Sequence, residues 1–358
     1  MAYTPQAGIF ALGTSSHAYL EFDILDAKKH KEFASTISSI REPRTTTGGV
    51  NFVIGFRPEL WRDICPDDTP PGVEGFNSEI RGTEGFVMPS TQHDALVWLS
   101  GSAYDVVFDM ARSVLQDFAG QASLGEETSS WPYRHDRDLT GFIDGSENPT
   151  LLEAPITALL PEGVPGAAGS VLLLQKWKHN VGEWEALPIE QQERTMGRSH
   201  VARTDQDEFG KIFRRNMPYG TVHDHGTVFV GFSADQKRLS RMLDSMAVKR
   251  VSASRVPVTR PFPRGWRARQ RSRRVETEAS RPEARRSTEI RWRLLDYATK
   301  SMTFLIAGRH ERIGLFLPAR LYPGMPPLLQ AVTPGGSVVP HTRAGSSTVE
   351  RSAVNREP

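Results

Sequence analysis

The chain has 358 residues, 38% hydrophobic and 9% aromatic, which suffices for one large globular domain or two ordinary ones. Its formal net charge of +2 hides an imbalance: residues 251 to 286 hold eleven Arg and three Glu, an excess of eight that leaves −6 on the remainder and argues against a nucleic-acid-binding core. A single cysteine, Cys65, excludes an internal disulfide, a Cys-x-x-Cys metal or redox pair and a covalent Cys-x-x-Cys-His haem attachment, and points to a reducing compartment, the cytoplasm.

In chain order, the alternation over residues 18 to 25 (AYLEFDIL) predicts a half-buried strand, and residues 26 to 40 read as a helix. VNFVIGF (50 to 56) predicts a second strand and ALVWLS (95 to 100) another. AYDVVFDMARSVLQDF is the clearest helix, with Val106, Val107, Met110, Val114, Leu115 and Phe118 on one stripe. SVLLLQKW (170 to 177) reads as a strand, IEQQERTMG as a short helix and TVFVGFS (227 to 233) as a strand. DQKRLSRMLDSMA then forms a helix whose Leu239, Met242, Leu243 and Met246 share a buried face. Strands and helices alternate at spacings that suit an α+β sheet covered on one face. A weak echo between VNFVIGF and TVFVGFS would fit two related half-domains.

Residues 251 to 286 are rich in Arg, Ser, Pro and Glu, contain no Lys and show no apolar period. A disordered basic insert, a nucleic-acid-binding arm and translated non-coding sequence all fit that composition. Residues 309 to 358 are rich in Pro, Gly and Ser, and no fold is assigned to them. The N-terminal residues lack a basic region followed by an apolar run, and no later stretch is long enough to cross a bilayer, so no membrane association is expected.

Three segments carry candidate chemistry. LTGFIDGSENPT (139 to 150) sets Asp144 among glycines; Asp-Gly and Asn-Pro are turn-forming pairs, and turn formation alone would account for them. His200 lies in GRSHVARTD, and FRRNMPYG follows with Arg214, Arg215 and Asn216. A histidine nitrogen can ligate haem iron, one acid/base group can move a proton between the oxygens of peroxide, and a guanidinium can stabilise the negative charge on the departing oxygen. His200, Asp144 and Arg214 would fill those roles, although spacing alone leaves a turn aspartate and a surface histidine equally open. His223 and His225 in VHDHG lack an evident third ligand and read as a solvated loop.

DLTGFIDGSENP, SHVAR, FRRNMPYG and TVFVGF, in that order, resemble the dye-decolourising peroxidases, most closely their bacterial-type B group; PQAGIF and GFRPELW extend the resemblance over roughly residues 5 to 247. The resemblance implies an α+β fold of duplicated ferredoxin-like domains with antiparallel sheets, barrel-like, holding non-covalent haem b against the second half. Residues 1–150 would be the first half, 151–250 the haem-binding half, 251–289 the insert, 290–308 a closing helix and strand, and 309–358 a tail. By motif match, Asp144 becomes the distal acid/base, Arg214 rather than Arg215 the distal guanidinium, Asn216 a distal hydrogen-bond partner and His200 the proximal iron ligand. Gly145, Ser146, Glu147 and Phe229 would adjoin the cofactor, and Asp296 would orient His200.

Two departures from the family pattern stand out: Gly197-Arg198 runs straight into Ser199-His200 where relatives carry a polar segment, and the Arg-rich stretch precedes the closing element. The implied function is a haem peroxidase that reduces hydrogen peroxide and oxidises dyes, phenols or Mn(II), with room for a homo-oligomer and no membrane or nucleic-acid partner. Free aspartate titrates near ~3.9 and a base must be ionised to accept the peroxide proton, so activity is expected to favour acidic conditions unless burial raises that value. The alternatives are a haem-binding or iron-handling protein with incidental peroxidase activity, and a degenerate family member.

Overall fold

The computed structural model describes residues 4–40, 49–82, 85–145, 147–196, 209–248 and 299–307, all within one compact unit. The first half runs β1 (Ser16–Ile24), α1 (His30–Ser39), β2 (Asn51–Phe56), α2 (Pro58–Ile64), a small separate hairpin of β3 (Ile80–Arg81) and β4 (Val87–Met88), β5 (Ala95–Gly101), α3 (Tyr104–Asp117) and β6 (Ala122–Ser130). The second half continues with α4 (Ala154–Ala158), β7 (Ser170–Lys178), α5 (Val181–Glu185), α6 (Ile189–Met196), β8 (Phe213–Arg214), β9 (Met217–Gly220), β10 (His225–Ser233), α7 (Gln236–Val248) and β11 (Thr299–Ala307).

The strands do not form an open sheet covered on one face. Their order is β7-β11-β2-β5-β1-β6-β9-β10, and β10 pairs back to β7, so eight antiparallel strands close into a barrel. Closure removes the exposed edges that an open sheet would present. Within each half the spatial order is second, third, first, fourth strand: β2-β5-β1-β6, then β9-β10-β7-β11. Each half is therefore a ferredoxin-like unit, and the fourth strand of each joins the second strand of the other. This topology corrects the sequence echo. VNFVIGF is the second strand of its half, whereas TVFVGFS is the third of the other, so the two are not equivalent positions.

Two apolar clusters follow from the alternation of strand side chains. One set packs outward against the helices, where Phe33 and Ile37 of α1, Leu60 and Trp61 of α2, Val107 and Val114 of α3, and Leu239 and Leu243 of α7 cover Leu20, Val97, Leu173 and Phe304. The other fills the barrel with Tyr19, Leu96, Trp98, Leu172, Leu174, Val230, Phe232 and Leu305. On α3, Val107, Ala111 and Val114 are buried, while Val106, Met110 and Leu115 pack at the margin.

The barrel interior also carries polar groups. Trp98 Nε1–H donates to His17 Nδ1 at 3.2 Å, and His17 Nε2 lies 3.1 Å from the Thr14 carbonyl, an arrangement that suits the neutral ring. Burial pulls the His17 imidazole down to about 4, with the Thr14 carbonyl opposing and Arg215 adding to the shift. Burial pushes the Glu21 carboxyl up to about 7, partly offset by His93 and reinforced by Glu126.

Candidate active site

β8 and β9 are two pieces of one line of chain along β10, interrupted at Arg215–Asn216. Arg215 N–H donates to the Val230 carbonyl at 2.8 Å, so pairing continues through the interruption and the side chains keep alternating. Arg215 turns into the barrel, where its guanidinium lies 4.4 Å from the Trp98 ring centroid and donates to the carbonyls of Gly8 and Ala11. Burial lowers it to about 10, which leaves it cationic at neutral pH.

Arg214 and Asn216, on either side, face the outer surface of the barrel by the same alternation. Arg214 is opposite Gly231. Phe229, two residues earlier on β10, shares that face and belongs to the cluster beneath α7 with Ile212, Leu239 and Met242. A Cβ at Gly231 would lie 2.9 Å from Phe229 Cε1 and 3.1 Å from Leu239 Cδ2, so glycine there makes room for the Phe229 ring.

Asp144 lies in the loop after β6, which reaches the same strands through Asn148. Tyr133 and Arg137 bridge, as do Arg137 and Ile143, and Asp144 N–H donates to the Asp136 carbonyl at 2.8 Å. Gly145 N–H donates to Asp144 Oδ1 at 2.7 Å. Gly145 has φ +79, a region that favours glycine, and the nearest neighbour of an added Cβ is Asn148 Nδ2 at 3.5 Å. Backbone conformation, not crowding, therefore accounts for glycine at 145.

Asn148 fastens this loop to the arginine strand. Its Nδ2 donates to the Arg214 carbonyl at 2.8 Å, and its Oδ1 accepts from Arg214 N–H at 2.9 Å. The side-chain amide thus satisfies both main-chain groups of Arg214, as a neighbouring strand would. Meanwhile Arg214 Nε and Asn216 Oδ1 are buried without a hydrogen-bond partner among the described residues. Buried polar atoms of that kind require an explanation such as a ligand, an ion or water.

Asp138 is a second acid in the loop. Its Oδ1 accepts from Thr140 N–H at 2.8 Å and also from the Thr140 hydroxyl, while Trp184 Nε1–H donates to the Thr140 carbonyl at 3.1 Å. Burial pushes Asp138 up to about 6; the Thr140 hydroxyl opposes this and the charge of Asp144 adds to it.

The structure therefore assembles Arg214, Asn216 and Phe229 on one face and ties the Asp144–Gly145 loop to them; Glu147 is solvent-exposed. Ser146, His200 and Asp296 lie outside the described residues. Sequence reasoning treated Asn148 as a turn residue and passed over Asp138, because neither a clamp across 66 positions nor the burial of a loop acid has a local pattern. No three-ligand group forms at His223 and His225 among the described residues, and His225 Nδ1 lies 3.0 Å from the Thr221 carbonyl.

Fold and site together define an α+β barrel of two ferredoxin-like halves, with an acid loop clamped to an arginine strand on the outer face of the second half. The family model described as Dyp-type peroxidase, C-terminal, matches residues 135–255. The dye-decolorizing peroxidase of Rhodococcus erythropolis is 32% identical over 228 residues, 57% of this chain and 66% of that protein. The dye-decolorizing peroxidase of Brevibacterium linens is 31% identical over 244 residues, 61% of this chain and 66% of that protein. The chain thus spans 66% of the length of these two curated relatives. A variant of Rhodococcus jostii DypB in complex with haem shares the fold with a TM-score of 0.68 at 23% identity, covering 88% of this chain and 100% of that one. Residues 135–255 thus match the C-terminal model of the Dyp-type peroxidases, and the chain is similar in sequence and fold to dye-decolorizing peroxidases.

Proposed function

We propose that the chain is a haem-dependent peroxidase that reduces hydrogen peroxide and oxidises dyes, phenols or similar donors one electron at a time. The observation that carries the proposal is the pair Arg214 Nε and Asn216 Oδ1, buried on the outer face with no hydrogen-bond partner among the described residues, on the line of chain to which the Asp144 loop is clamped. These groups fit the distal side of a haem site. His200 would hold the iron, and Phe229 and Gly145 would adjoin the macrocycle.

When bound, haem supplies the redox centre that holds the oxidising equivalents of peroxide until donors discharge them. The chain's own groups manage protons and charge. The Asp144 carboxylate would take the proton from one oxygen of peroxide and return it to the other. The Arg214 guanidinium stabilises the negative charge that develops on the departing oxygen, and the Asn216 amide fixes the orientation of the pair. Over a full cycle peroxide gains two electrons and two protons to give two waters, and two donor molecules each lose one electron. The lone Cys65 supports a reducing compartment, and we extend the proposal to the cytoplasm.

The test is haem reconstitution of the full chain followed by peroxide-driven dye oxidation. A Soret band and turnover are expected, and Asp144→Ala should retain the band while losing about 10²–10⁴-fold in rate. Absence of haem uptake would overturn the proposal. So would equal turnover by wild type and Asp144→Ala with haem held by both, the result expected of a haem carrier.

A further inference from the structure

At one end of the barrel interior, on the side of the sheet opposite to Arg214, a second set of ionisable groups meets. Glu21 on β1 and Glu126 on β6 are register partners, so their side chains emerge side by side. Glu21 is buried, in line with Tyr19 of the interior cluster. His93 reaches the pair from the loop before β5. We propose that Glu21, His93 and Glu126 form a binding site for a divalent first-row transition cation, independent of the haem site.

Four observations support the assignment. One ligand atom from each of the three residues lies within 4.8 Å of the other two, which small side-chain rotations would bring to ordinary coordination spacing. His93 Nδ1 lies 3.0 Å from both carboxylate oxygens of Asp23, the outer partner that orients a ligating imidazole, makes it a stronger donor and leaves Nε2 for the metal. The strand is shaped for this ring: β6 is irregular opposite Glu21/Phe22, and a Cβ at Gly125 would lie 2.5 Å from His93 Cε1 and 2.8 Å from Asp23 Oδ2. The cluster also opens to solvent, since the Asp23 side chain is half-exposed and those of His93 and Glu126 are partly accessible.

The Thr303 hydroxyl donates to Glu21 Oε2 at 3.0 Å and would fix that carboxylate. Lys176 bonds Glu126 and acts as the resident counter-cation. Its Nζ also lies 4.9 Å from the Tyr219 ring centroid, a cation–π contact that would hold the ammonium if a metal displaced it from Glu126. Two carboxylates and one imidazole suit zinc or a similar borderline cation, and water would complete the coordination.

The experiment is calorimetric titration of Zn²⁺ into the full-length protein after dialysis against a chelator, with circular dichroism confirming the fold of each variant. One equivalent should bind in the wild type. Asp23→Asn should weaken that event by about tenfold or more, the usual effect of losing an outer partner. Glu126→Gln and His93→Gln should weaken it further, Lys176→Met should tighten it by removing the competing ammonium, and His223→Ala should leave it unchanged. Absence of binding at millimolar Zn²⁺ in both the wild type and Lys176→Met would overturn the proposal. Binding that is insensitive to Glu126→Gln and His93→Gln would overturn it as well.

Discussion

Adjacent arginines on one strand take opposite fates, and the pleat decides which is which. The terminal nitrogens of Arg215 are committed to the Gly8 and Ala11 carbonyls beneath the Trp98 ring, whereas Arg214 faces the outer surface with a buried Nε that has no partner among the described residues. Removing the Asn148 side chain should release the strand that carries Arg214. Asn148→Ala deletes two hydrogen bonds and strands an N–H and a C=O, at a cost of about 1–3 kcal/mol for the groups left unsatisfied. Asn148→Asp keeps the acceptor for Arg214 N–H but sets a carboxylate against the Arg214 carbonyl, so it should rescue only part of the loss. Urea unfolding measures the stability, and dye turnover by the haem-loaded protein should fall with it.

Asp138 makes a separate prediction at the same scale. Its folded value of about 6 exceeds the ordinary 3.8, so the folded state binds its proton more tightly than the unfolded chain does. Its contribution to stability is therefore fully present below the ordinary value and is lost as pH rises from about 4 through about 6. Asp138→Asn keeps an oxygen for Thr140 and should raise stability above pH 6 by up to about 3 kcal/mol, the size set by the shift. Denaturation midpoints of the two proteins at acidic and mildly alkaline pH check this: they should diverge only as pH rises. The motifs led to Asp144, Arg214 and Asn216, the residues proposed for the distal side. The clamp and the buried acid were not, because both depend on contacts that only the folded chain makes.

Among the elements, the apolar strands and the helices α3, α6 and α7 were predictable to within a residue or two, since their burial follows a period, whereas α1 begins at His30, four residues later than its sequence suggested. β6 was not predicted. Its inward positions are Glu126, Thr128 and Ser130, so the strand lacks the apolar alternation that marks its neighbours; the barrel interior, polar at that end, tolerates them. The seating of β11 was equally hidden. Toward β2 it pairs directly only at Ile306 and Ala307, while Met302 N–H donates to the Thr91 hydroxyl at 2.8 Å and Phe304 N–H to Gln92 Oε1 at 3.0 Å. Gln92 Oε1 also accepts from Phe76 N–H at 2.7 Å. Gln92→Ala should therefore leave two main-chain donors unpaired and destabilise the protein by about 1–3 kcal/mol for each that water does not reach. Thermal unfolding gives the sum, and a loss smaller than that of a surface substitution would show that β11 is held by apolar packing alone.

Across the whole barrel, the seams differ in length. β1 and β5 share seven register pairs from Ser16↔Gly101 to Phe22↔Ala95, and β7 and β11 are matched nearly end to end. The two joints between halves are shorter: β6 meets β9 at Ser130↔Tyr219 alone, and β11 meets β2 at two pairs. Opening should begin at the joints, since fewer main-chain bonds and fewer packed side chains must separate there. The loop that carries Asp144 connects β6 to the second half, yet Asn148 fastens it to β8, so separation of β6 from β9 need not part that loop from Arg214. Native-state hydrogen exchange can distinguish the two kinds of seam. The Trp131 amide, bonded across the β6–β9 joint to the Pro218 carbonyl at 3.3 Å, should exchange well before amides in the middle of β1 and β7. Protection of Trp131 equal to that of β1 would mean that the halves open only with global unfolding, and that the barrel behaves as one cooperative unit despite its short joints.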